Sequence, residues 1–157
     1  MNGIRFFWFD VDGVLTDGRI LLAPTGEEWK YFHVKDGVGI KKLQQYGIEV
    51  GILSGRHSQA VSYRAKELGI KTVIQGVSDK QLFLQDWLAE KMLSWESLAY
   101  MGDDEADLEV MKRVKCAIAP KDAIPALHAV AHYVTQAKGG EGAAREAAEW
   151  LLNSYSR

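Results

Sequence analysis

Two closely spaced carboxylates directly follow the most apolar run of the sequence. The run FFWF at residues 6–9 is followed by Asp10 and Asp12, and Gly13 comes next. Crowded carboxylates at the end of a buried segment repel each other and are costly to remove from water. We therefore expect either solvated turn residues or a site at which a cation compensates their charge.

Other groups capable of chemistry come later in the chain, after an apolar run or at the start of a helical stretch. They are Ser54, Gly55 and Arg56, then Lys80, and then Asp103, Asp104 and Asp107. Carboxylates, a hydroxyl and an ammonium in one place suit phosphoryl transfer, because a carboxylate can attack phosphorus once the charge of the phosphoryl group is neutralised. Mg²⁺ neutralises such charge and takes oxygen ligands from carboxylates.

The residue types suggest a role for each group. Asp10 would be the nucleophile, and Mg²⁺ would be bound by Asp10, Asp103 and the backbone carbonyl of Asp12. The Asp12 carboxyl would give a proton to the leaving oxygen and later accept one from water. Ser54 with nearby backbone amides, and the charge of Lys80, would hold the phosphoryl oxygens.

Each motif also has a simpler interpretation when taken alone. Asp-Val-Asp-Gly is often a solvated turn or part of a calcium loop, and Ser-Gly-Arg is a common loop tripeptide. Lys80 would then be a solvated helix residue, which is the usual state of lysine, and Asp103 with Asp104 would begin a helix. The joint occurrence of these motifs, each at a strand end or helix start, favours the chemical interpretation.

Apolar runs of strand length alternate with stretches of helical period, which predicts β-α-β units around a parallel sheet. The predicted strands are 4–9, 48–53, 72–75, 98–101, 116–119 and 132–135, and the predicted helices are 37–46, 57–68, 79–93, 105–114, 122–130 and 141–153. We expect one α/β domain over residues 1–157, Rossmann-like with three α/β/α layers. The candidate residues would meet at the carboxyl ends of its strands.

One segment, residues 19–34, interrupts this alternation. Two short extended runs surround Pro24-Thr25-Gly26, which is typical of a β-hairpin. The large apolar residues of the segment are Ile20, Leu22, Trp29, Tyr31 and Phe32. Because so apolar a hairpin is unfavourable in water, we expect hairpins of several subunits to pair and bury these side chains.

Composition excludes several classes of protein. A chain of 157 residues with 47% hydrophobic and 25% charged residues is typical of one globular domain. The net charge of −2 argues against a nucleic-acid or membrane-surface partner. Cys116 has no second cysteine to pair with, which excludes an internal disulfide. Without a signal peptide or an apolar run of membrane-spanning length, a cytoplasmic location is expected.

The motifs together resemble those of phosphatases of the haloacid dehalogenase superfamily. They are FDVDGVLTD, ILSGR, the lysine at position 80 and GDDEAD. More narrowly, DVDGVLTDGRI, FHVKDGVGIKKL, YMGDDEADLEVM and the tail GGEGAAREA are similar to the 3-deoxy-D-manno-octulosonate (KDO) 8-phosphate phosphatases. The resemblance implies a Mg²⁺-dependent phosphomonoesterase of lipopolysaccharide precursor biosynthesis, acting on this sugar-acid phosphate through an aspartyl-phosphate.

The resemblance also implies roles for single residues. Asp10 would carry the phosphoryl group, Asp12 would be the acid and base, and Asp103 would bind the metal. Asp104 would support the metal, and Asp107 would contact the metal ligands and not the metal itself. Further candidates for binding the phosphate or the substrate carboxylate are Gly55, Arg56, Lys35 and Arg145, the last two for this subunit's site or a neighbour's.

The resemblance implies a homotetramer formed through the hairpins. Many members of the superfamily cover the site with an inserted cap domain. The segments between residues 12 and 54 and between residues 80 and 103 are too short to hold one. We therefore expect an open site that either accepts large substrates or has its walls completed by a neighbouring subunit. The segment of about 138–157 would be a C-terminal tail.

Two positions depart from the pattern of the group. Lys35 stands where these phosphatases commonly have arginine, and Glu141 stands where they have a basic residue. Lysine keeps the charge but lacks the bidentate guanidinium. A phosphatase for a related nine-carbon, sialic-acid-type sugar phosphate is therefore an alternative. A phosphotransferase, a protein phosphatase, a receiver-like phospho-accepting domain and a non-catalytic oligomerisation module are others.

Overall fold

Strands and helices alternate in a computed structural model, which describes residues 3–155. The strands are β1 (Phe6–Phe9), β2 (Leu21–Leu22), β3 (Glu28–Trp29), β4 (Glu49–Ser54), β5 (Thr72–Gln75), β6 (Leu98–Met101), β7 (Cys116–Ala119) and β8 (Tyr133–Val134). The helices are α1 (Val34–Gln45), α2 (Gln59–Leu68), α3 (Lys80–Lys91), α4 (Glu105–Met111), α5 (Pro125–His128) and α6 (Ala143–Tyr155). The last two residues of the predicted tail, 156–157, lie outside the described part.

Six of the strands form one parallel sheet in the order β5-β4-β1-β6-β7-β8. The predicted α/β fold is thereby confirmed, and each predicted strand and helix overlaps an observed one. The strand order reverses at β1, which lies between β4 and β6. Ligands of such sheets bind beyond the carboxyl ends of the strands at this reversal.

Strand β1 is buried on both faces, as its continuous apolar run predicts. Because successive side chains of a strand point to opposite faces, Phe7 and Phe9 join the core under α1, α2 and α6. Phe6 and Trp8 join the core under α3, α4 and α5. Trp8 also packs edge to face against Trp87 of α3. The strand that ends at Asp10 is therefore fixed from both sides.

The predicted hairpin is present as the antiparallel pair β2 and β3, with Leu21 opposite Trp29. The Gly26 amide donates to the Ala23 carbonyl at 2.9 Å and closes the turn. The φ angle of Gly26 is +84°, a conformation that favours glycine. Leu22 is 62% exposed and Trp29 is 54% exposed in the single chain. The hairpin therefore presents an apolar surface that its own chain does not cover.

No cap domain covers the sheet within residues 3–155. Between β1 and β4 the chain holds the hairpin and α1, and between β5 and β6 it holds α3 and a 3₁₀ turn at Trp95–Ser97. The two connections therefore hold no cap domain, as predicted. None of the helices described is long and apolar enough to cross a membrane.

We predict that Gly51→Ala destabilises the sheet that positions the site. A Cβ on Gly51 would lie 2.6 Å from Cε3 of Trp8 and 2.7 Å from Cε1 of Phe6. These rings pack on each other and on Trp87, so they cannot move aside. The free energy of unfolding should fall by about 1–3 kcal/mol, as measured by urea denaturation. Glu49→Ala, at an exposed position of the same strand, should change it by less than about 0.5 kcal/mol. Equal stabilities of the two variants would contradict the packing argument.

Candidate active site

A cleft of about 310 Å³ opens at the carboxyl ends of the central strands. It lies where β1, β4 and β6 end and where α3 and α4 begin. The structure brings most of the predicted site residues into it, namely Asp10, Asp12, Ser54, Gly55, Arg56, Lys80, Asp103, Asp104 and Asp107. Residues far apart in the sequence therefore share one site because parallel strands place their carboxyl ends at the same edge.

The Lys80 ammonium lies between two carboxylates. Its Nζ is 2.9 Å from Asp10 Oδ1 and 2.7 Å from Asp107 Oδ1. The Lys80 side chain is 4% exposed, so its interpretation as a solvated helix residue is wrong. Burial lowers the pKa of Lys80, but the charges of Asp10 and Asp107 outweigh this effect and raise the pKa above its usual value. Lys80 is therefore a cation within the cleft.

Both oxygens of Asp107 are engaged in hydrogen bonds. Oδ1 accepts from Lys80 and from the Tyr100 hydroxyl at 2.6 Å, and Oδ2 accepts from the Asp103 amide at 3.0 Å. Asp104 is exposed and is the N-cap of α4, accepting from the Glu105 amide. The helix-cap interpretation is thus correct for Asp104, while Asp107 holds Lys80 and the loop that carries Asp103.

Asp10 and Asp103 are short of compensating charge. Burial and the charges of Asp10, Asp107 and Asp104 raise the pKa of Asp103 to about 8. Burial and the charge of Asp107 raise the pKa of Asp10 to about 6, although Lys80 acts in the opposite direction. The Oδ1 atom of Asp103 is buried and has no hydrogen-bond partner. A buried carboxylate oxygen without a partner, beside a second carboxylate, is stable only if a proton or a metal cation compensates it.

The carboxylates of this cleft fit a divalent cation. Asp10, Asp103 and Asp107 each offer an oxygen, and these atoms lie within 4.8 Å of one another. Oxygen-only donors suit Mg²⁺. Because Asp107 is engaged in hydrogen bonds, Asp10 and Asp103 are the donors that remain for a metal. This pair agrees with the expected ligands, while the share of the Asp12 carbonyl stays a prediction.

Gly13 makes room for the Asp103 carboxylate. A Cβ on Gly13 would lie 1.9 Å from Asp103 Oδ2, and the φ angle of Gly13 is +86°. Any larger residue would both strain the loop and occupy the position of that oxygen. The glycine after Asp12 therefore allows the loops after β1 and β6 to meet.

The loop after β4 carries the remaining candidates of the cleft. Ser54 is buried, and its Oγ accepts from the Arg56 amide at 3.2 Å. The Arg56 guanidinium donates to Glu28 Oε2, and its Nε lies 3.9 Å from Asp12 Oδ2. Nearly half of the Arg56 side chain is exposed. Arg56 is thus at the mouth of the cleft, where a substrate group could reach it.

The hairpin contributes to this site in a way that was not predicted from the sequence. Lys30 Nζ lies 2.5 Å from Asp12 Oδ1 and 2.6 Å from Glu28 Oε1. Burial lowers the pKa of Lys30, but hydrogen bonds to Asp12 and Glu28 outweigh it and raise the pKa overall. The alternation Glu28-Trp29-Lys30-Tyr31 could have indicated this contribution, since alternate residues of an extended chain share a face. The charged side chains contact Asp12 and Arg56 of the cleft, and the aromatic side chains are exposed.

Lys35 and Arg145 are not among the residues that line the cleft. Lys35 is exposed at the start of α1. The Arg145 guanidinium lies 2.5 Å from Glu149, which also binds Lys42 at 2.9 Å. Arg145 and Glu149 lie one turn apart on α6, and Lys42 reaches Glu149 from α1, so the Arg145 guanidinium is held on α6 and away from the cleft. Binding of substrate by Lys35 and Arg145 of a neighbouring subunit stays a prediction.

The glycines of the tail contact the loop that follows β1 in the same chain. The Gly140 amide donates to the Val14 carbonyl at 3.0 Å. A Cβ on Gly139 would lie 1.8 Å from the Gly13 carbonyl oxygen, so glycine is needed for this approach. Glu141 follows at an exposed position. The tail therefore supports the loop of Asp10 and Asp12 from outside.

Known proteins similar to this chain form a consistent group. A family profile described as haloacid dehalogenase-like hydrolase matches residues 73–146. The KDO 8-phosphate phosphatase of Yersinia pestis is 44% identical over 149 residues, which cover 95% of this chain and 80% of that relative. The crystal structure of the Moraxella catarrhalis KDO 8-phosphate phosphatase with magnesium ion, phosphate ion and KDO has a TM-score of 0.93 at 39% identity, covering 97% of this chain and 87% of that one. A cobalt-bound Haemophilus influenzae phosphatase of this kind has a TM-score of 0.92 at 37% identity, covering 98% and 90%.

We predict that Asp103→Asn weakens the pH dependence of stability in the metal-free protein. A carboxyl whose pKa is raised by folding stabilises the protein fully below its unfolded pKa, and this stabilisation is lost as pH rises through the folded pKa. For Asp103 the window runs from the usual value of 3.8 to about 8. In chelator, the fall in the free energy of unfolding between about pH 5 and about pH 8 should be smaller in the variant by at least about 1.4 kcal/mol, the equivalent of one pKa unit.

The same variant should respond less to metal. Added Mg²⁺ should raise the melting temperature of the wild type and have little effect on Asp103→Asn, because a ligand is lost. Asp86→Asn makes the same change at an exposed position of α3 and should behave as the wild type in both measurements. Identical pH dependence and Mg²⁺ response in all three proteins would show that the Asp103 carboxylate is neither strained nor a ligand.

Proposed function

Because this chain belongs to the KDO 8-phosphate phosphatases, within the haloacid dehalogenase-like hydrolases, we propose that it hydrolyses KDO 8-phosphate to KDO and inorganic phosphate. The reaction serves lipopolysaccharide precursor biosynthesis. The observation that carries the proposal is the meeting of Asp10, Lys80 and Asp103 in one cleft. These residues supply a nucleophile, a fixed cation and a free oxygen donor for a metal.

In the first step, a carboxylate oxygen of Asp10 attacks phosphorus. The bond between phosphorus and the sugar oxygen breaks, and the sugar oxygen takes the proton of the Asp12 carboxyl. Lys80 binds Asp10 Oδ1 at 2.9 Å, which orients the carboxylate for the attack. Ser54 Oγ and the Gly55 amide would bind the phosphoryl oxygens. The product is an aspartyl-phosphate on Asp10.

In the second step, water hydrolyses the aspartyl-phosphate. Asp12, now a carboxylate, takes a proton from the water molecule whose oxygen attacks phosphorus. The bond between phosphorus and Asp10 breaks, and inorganic phosphate leaves. Both carboxyl groups return to their starting states, so one residue serves as acid and then as base.

Mg²⁺ is the cofactor of this reaction. When bound, it neutralises the phosphoryl group as the negatively charged nucleophile approaches. Asp10, Asp103 and the Asp12 carbonyl would hold it. The raised pKa values of Asp10 and Asp103 and the unpartnered Oδ1 of Asp103 support this assignment, as does the magnesium ion in the related Moraxella catarrhalis complex.

The substrate carries a carboxylate far from its phosphorus, and we propose that cations around the open mouth bind it. Arg56 is exposed at the mouth of the cleft. Lys35 and Arg145 would act from a neighbouring subunit in a homotetramer formed through the hairpins. The exposed apolar face of the hairpin supports this assembly, because a contiguous apolar patch marks an interaction surface.

A nine-carbon, sialic-acid-type sugar phosphate is the second candidate substrate. It is favoured by Lys35 in place of the usual arginine and by the exposed Glu141 in the tail. Both substrates share the chemistry at phosphorus and differ in the sugar acid. Comparison of kcat/KM on the two phosphates, with Mg²⁺ present, decides between them.

We predict that Asp10→Asn abolishes phosphatase activity. An amide cannot attack phosphorus, so kcat on KDO 8-phosphate should fall by roughly 10⁴-fold or more. Released phosphate is measured, and the folded state is checked by circular dichroism. Asp17→Asn makes the same change at an exposed position near the end of the same loop and should leave kcat unchanged.

The outcome separates the competing functions. Substantial turnover by a well-folded Asp10→Asn protein would exclude covalent catalysis by Asp10. A wild type that forms a stable phosphoprotein without turnover would favour the receiver-like function. If the wild type hydrolyses no phosphate monoester, the non-catalytic oligomerisation module is the function that remains.

We predict that a charge on the apolar hairpin face breaks the oligomer. Leu22→Glu would place a carboxylate in the buried interface, and an unpaired buried charge strongly opposes association. Light scattering after size exclusion should give a tetramer for the wild type and a smaller species for the variant. Tyr46→Glu, at a position 70% exposed at the end of α1, is the control and should remain tetrameric. A wild type that is monomeric would overturn the proposed assembly.

A further inference from the structure

Glu28 and Lys30 of the hairpin form a network of alternating charge with Asp12 and Arg56. Lys30 binds Asp12 Oδ1 at 2.5 Å and Glu28 Oε1 at 2.6 Å, and Glu28 Oε2 accepts from Arg56. Arg56 Nε lies 3.9 Å from Asp12 Oδ2, which closes the network. When Asp12 is ionised, the two cations balance the two carboxylates. One of its members is the proposed acid and base.

Lys30 is not placed to bind the substrate. Its side chain is 1% exposed, whereas the Arg56 side chain is 48% exposed. An ammonium has three donors, and the contacts to Asp12 and Glu28 already hold it on the side of the hairpin. The function of Lys30 must therefore be carried by the groups that it touches.

We propose that Lys30 is a positioning residue for Asp12, a role that rests on the proposed function. By binding Oδ1 it fixes the plane of the carboxyl group. Oδ2 is then the oxygen left to exchange a proton with the leaving group and with water.

The contact of Lys30 is stronger than the other ion pair of Asp12 within residues 3–155. Arg56 approaches Oδ2 only to 3.9 Å and is half exposed, so solvent screens the pair. The Lys30 contact is short and shielded from water, and Glu28 anchors the ammonium from the other side. Glu28 is itself held by Arg56, with 13% of its side chain exposed. The carboxyl orientation therefore depends on Lys30 more than on Arg56.

Orientation matters at Asp12 because the terminal torsion of an aspartate is broad. A proton donor must be within about 2.6–3.2 Å of its partner, and a displacement of about 1 Å can lower a rate by about 10²-fold. Lys30→Met should therefore lower kcat on a sugar-acid phosphate by about 10- to 100-fold. KM should change much less, because Lys30 does not touch the substrate.

The test is a double-mutant cycle between Lys30→Met and Asp12→Ala. If Lys30 acts through Asp12, removing it from the Asp12→Ala protein should lower kcat no further. With p-nitrophenyl phosphate, whose leaving group needs no proton, the first step should recover in Lys30→Met. A burst of p-nitrophenol with stoichiometry near one per subunit should then precede slow turnover. Lys112→Met, in an exposed ion pair on α4's C-terminal side, is the matched control and should behave as the wild type.

The competing explanation is that the ion pair only anchors the hairpin. The positioning role would be overturned if the effects of the two mutations on kcat multiplied in the double mutant. It would also be overturned if Lys30→Met left kcat unchanged, with or without a raised KM. If Lys30→Met fails to fold or assemble, Lys30→Arg keeps the charge but shifts the donor atoms, and the cycle is measured with it. The proposed function fails separately, when the wild type and Lys112→Met hydrolyse no phosphate ester.

Discussion

The contact of Lys80 with Asp10 and Asp107 is the interaction around which the site is built. It joins the end of β1, the start of α3 and the first turn of α4. Asp107 also binds the Tyr100 hydroxyl and the backbone amide of Asp103, so it holds the loop that carries Asp103. One buried ammonium thereby fixes the positions of both carboxylates proposed to bind the metal.

This contact leaves the site short of positive charge. The ammonium is shared by Asp10 and Asp107, and Asp103 gains no direct ion pair from it. The consequence is seen in the raised pKa of Asp103 and in its unpartnered oxygen. A fold that brings these acids together without enough cations is stable at neutral pH when protons or a metal ion compensate them. The need for a cation is thus a property of the protein before any substrate is bound.

The hairpin links the site to the surface. Glu28 and Lys30 lie on its inner face and contact Asp12, and Trp29 and Tyr31 lie on its outer face. The same short extended segment therefore serves the proposed acid and base and the proposed subunit interface. Its alternation reverses the usual arrangement, since here the charged side chains are inside and the aromatic ones outside.

The order of strands and helices is predictable from the sequence, because the continuous apolar run of β1 and the helical period of the intervening segments indicate the type of each element. The proximity of Asp10, Lys80 and Asp103 is also predictable, since the carboxyl ends of the strands in a parallel sheet share an edge. Three contacts are visible only in the tertiary structure: Asp107 binds Lys80 and Tyr100, Lys42 of α1 binds Glu149 of α6, and Lys30 reaches Asp12. These contacts depend on the distances between side chains after the helices and the hairpin have packed, and the spacing of residues along the chain does not specify those distances.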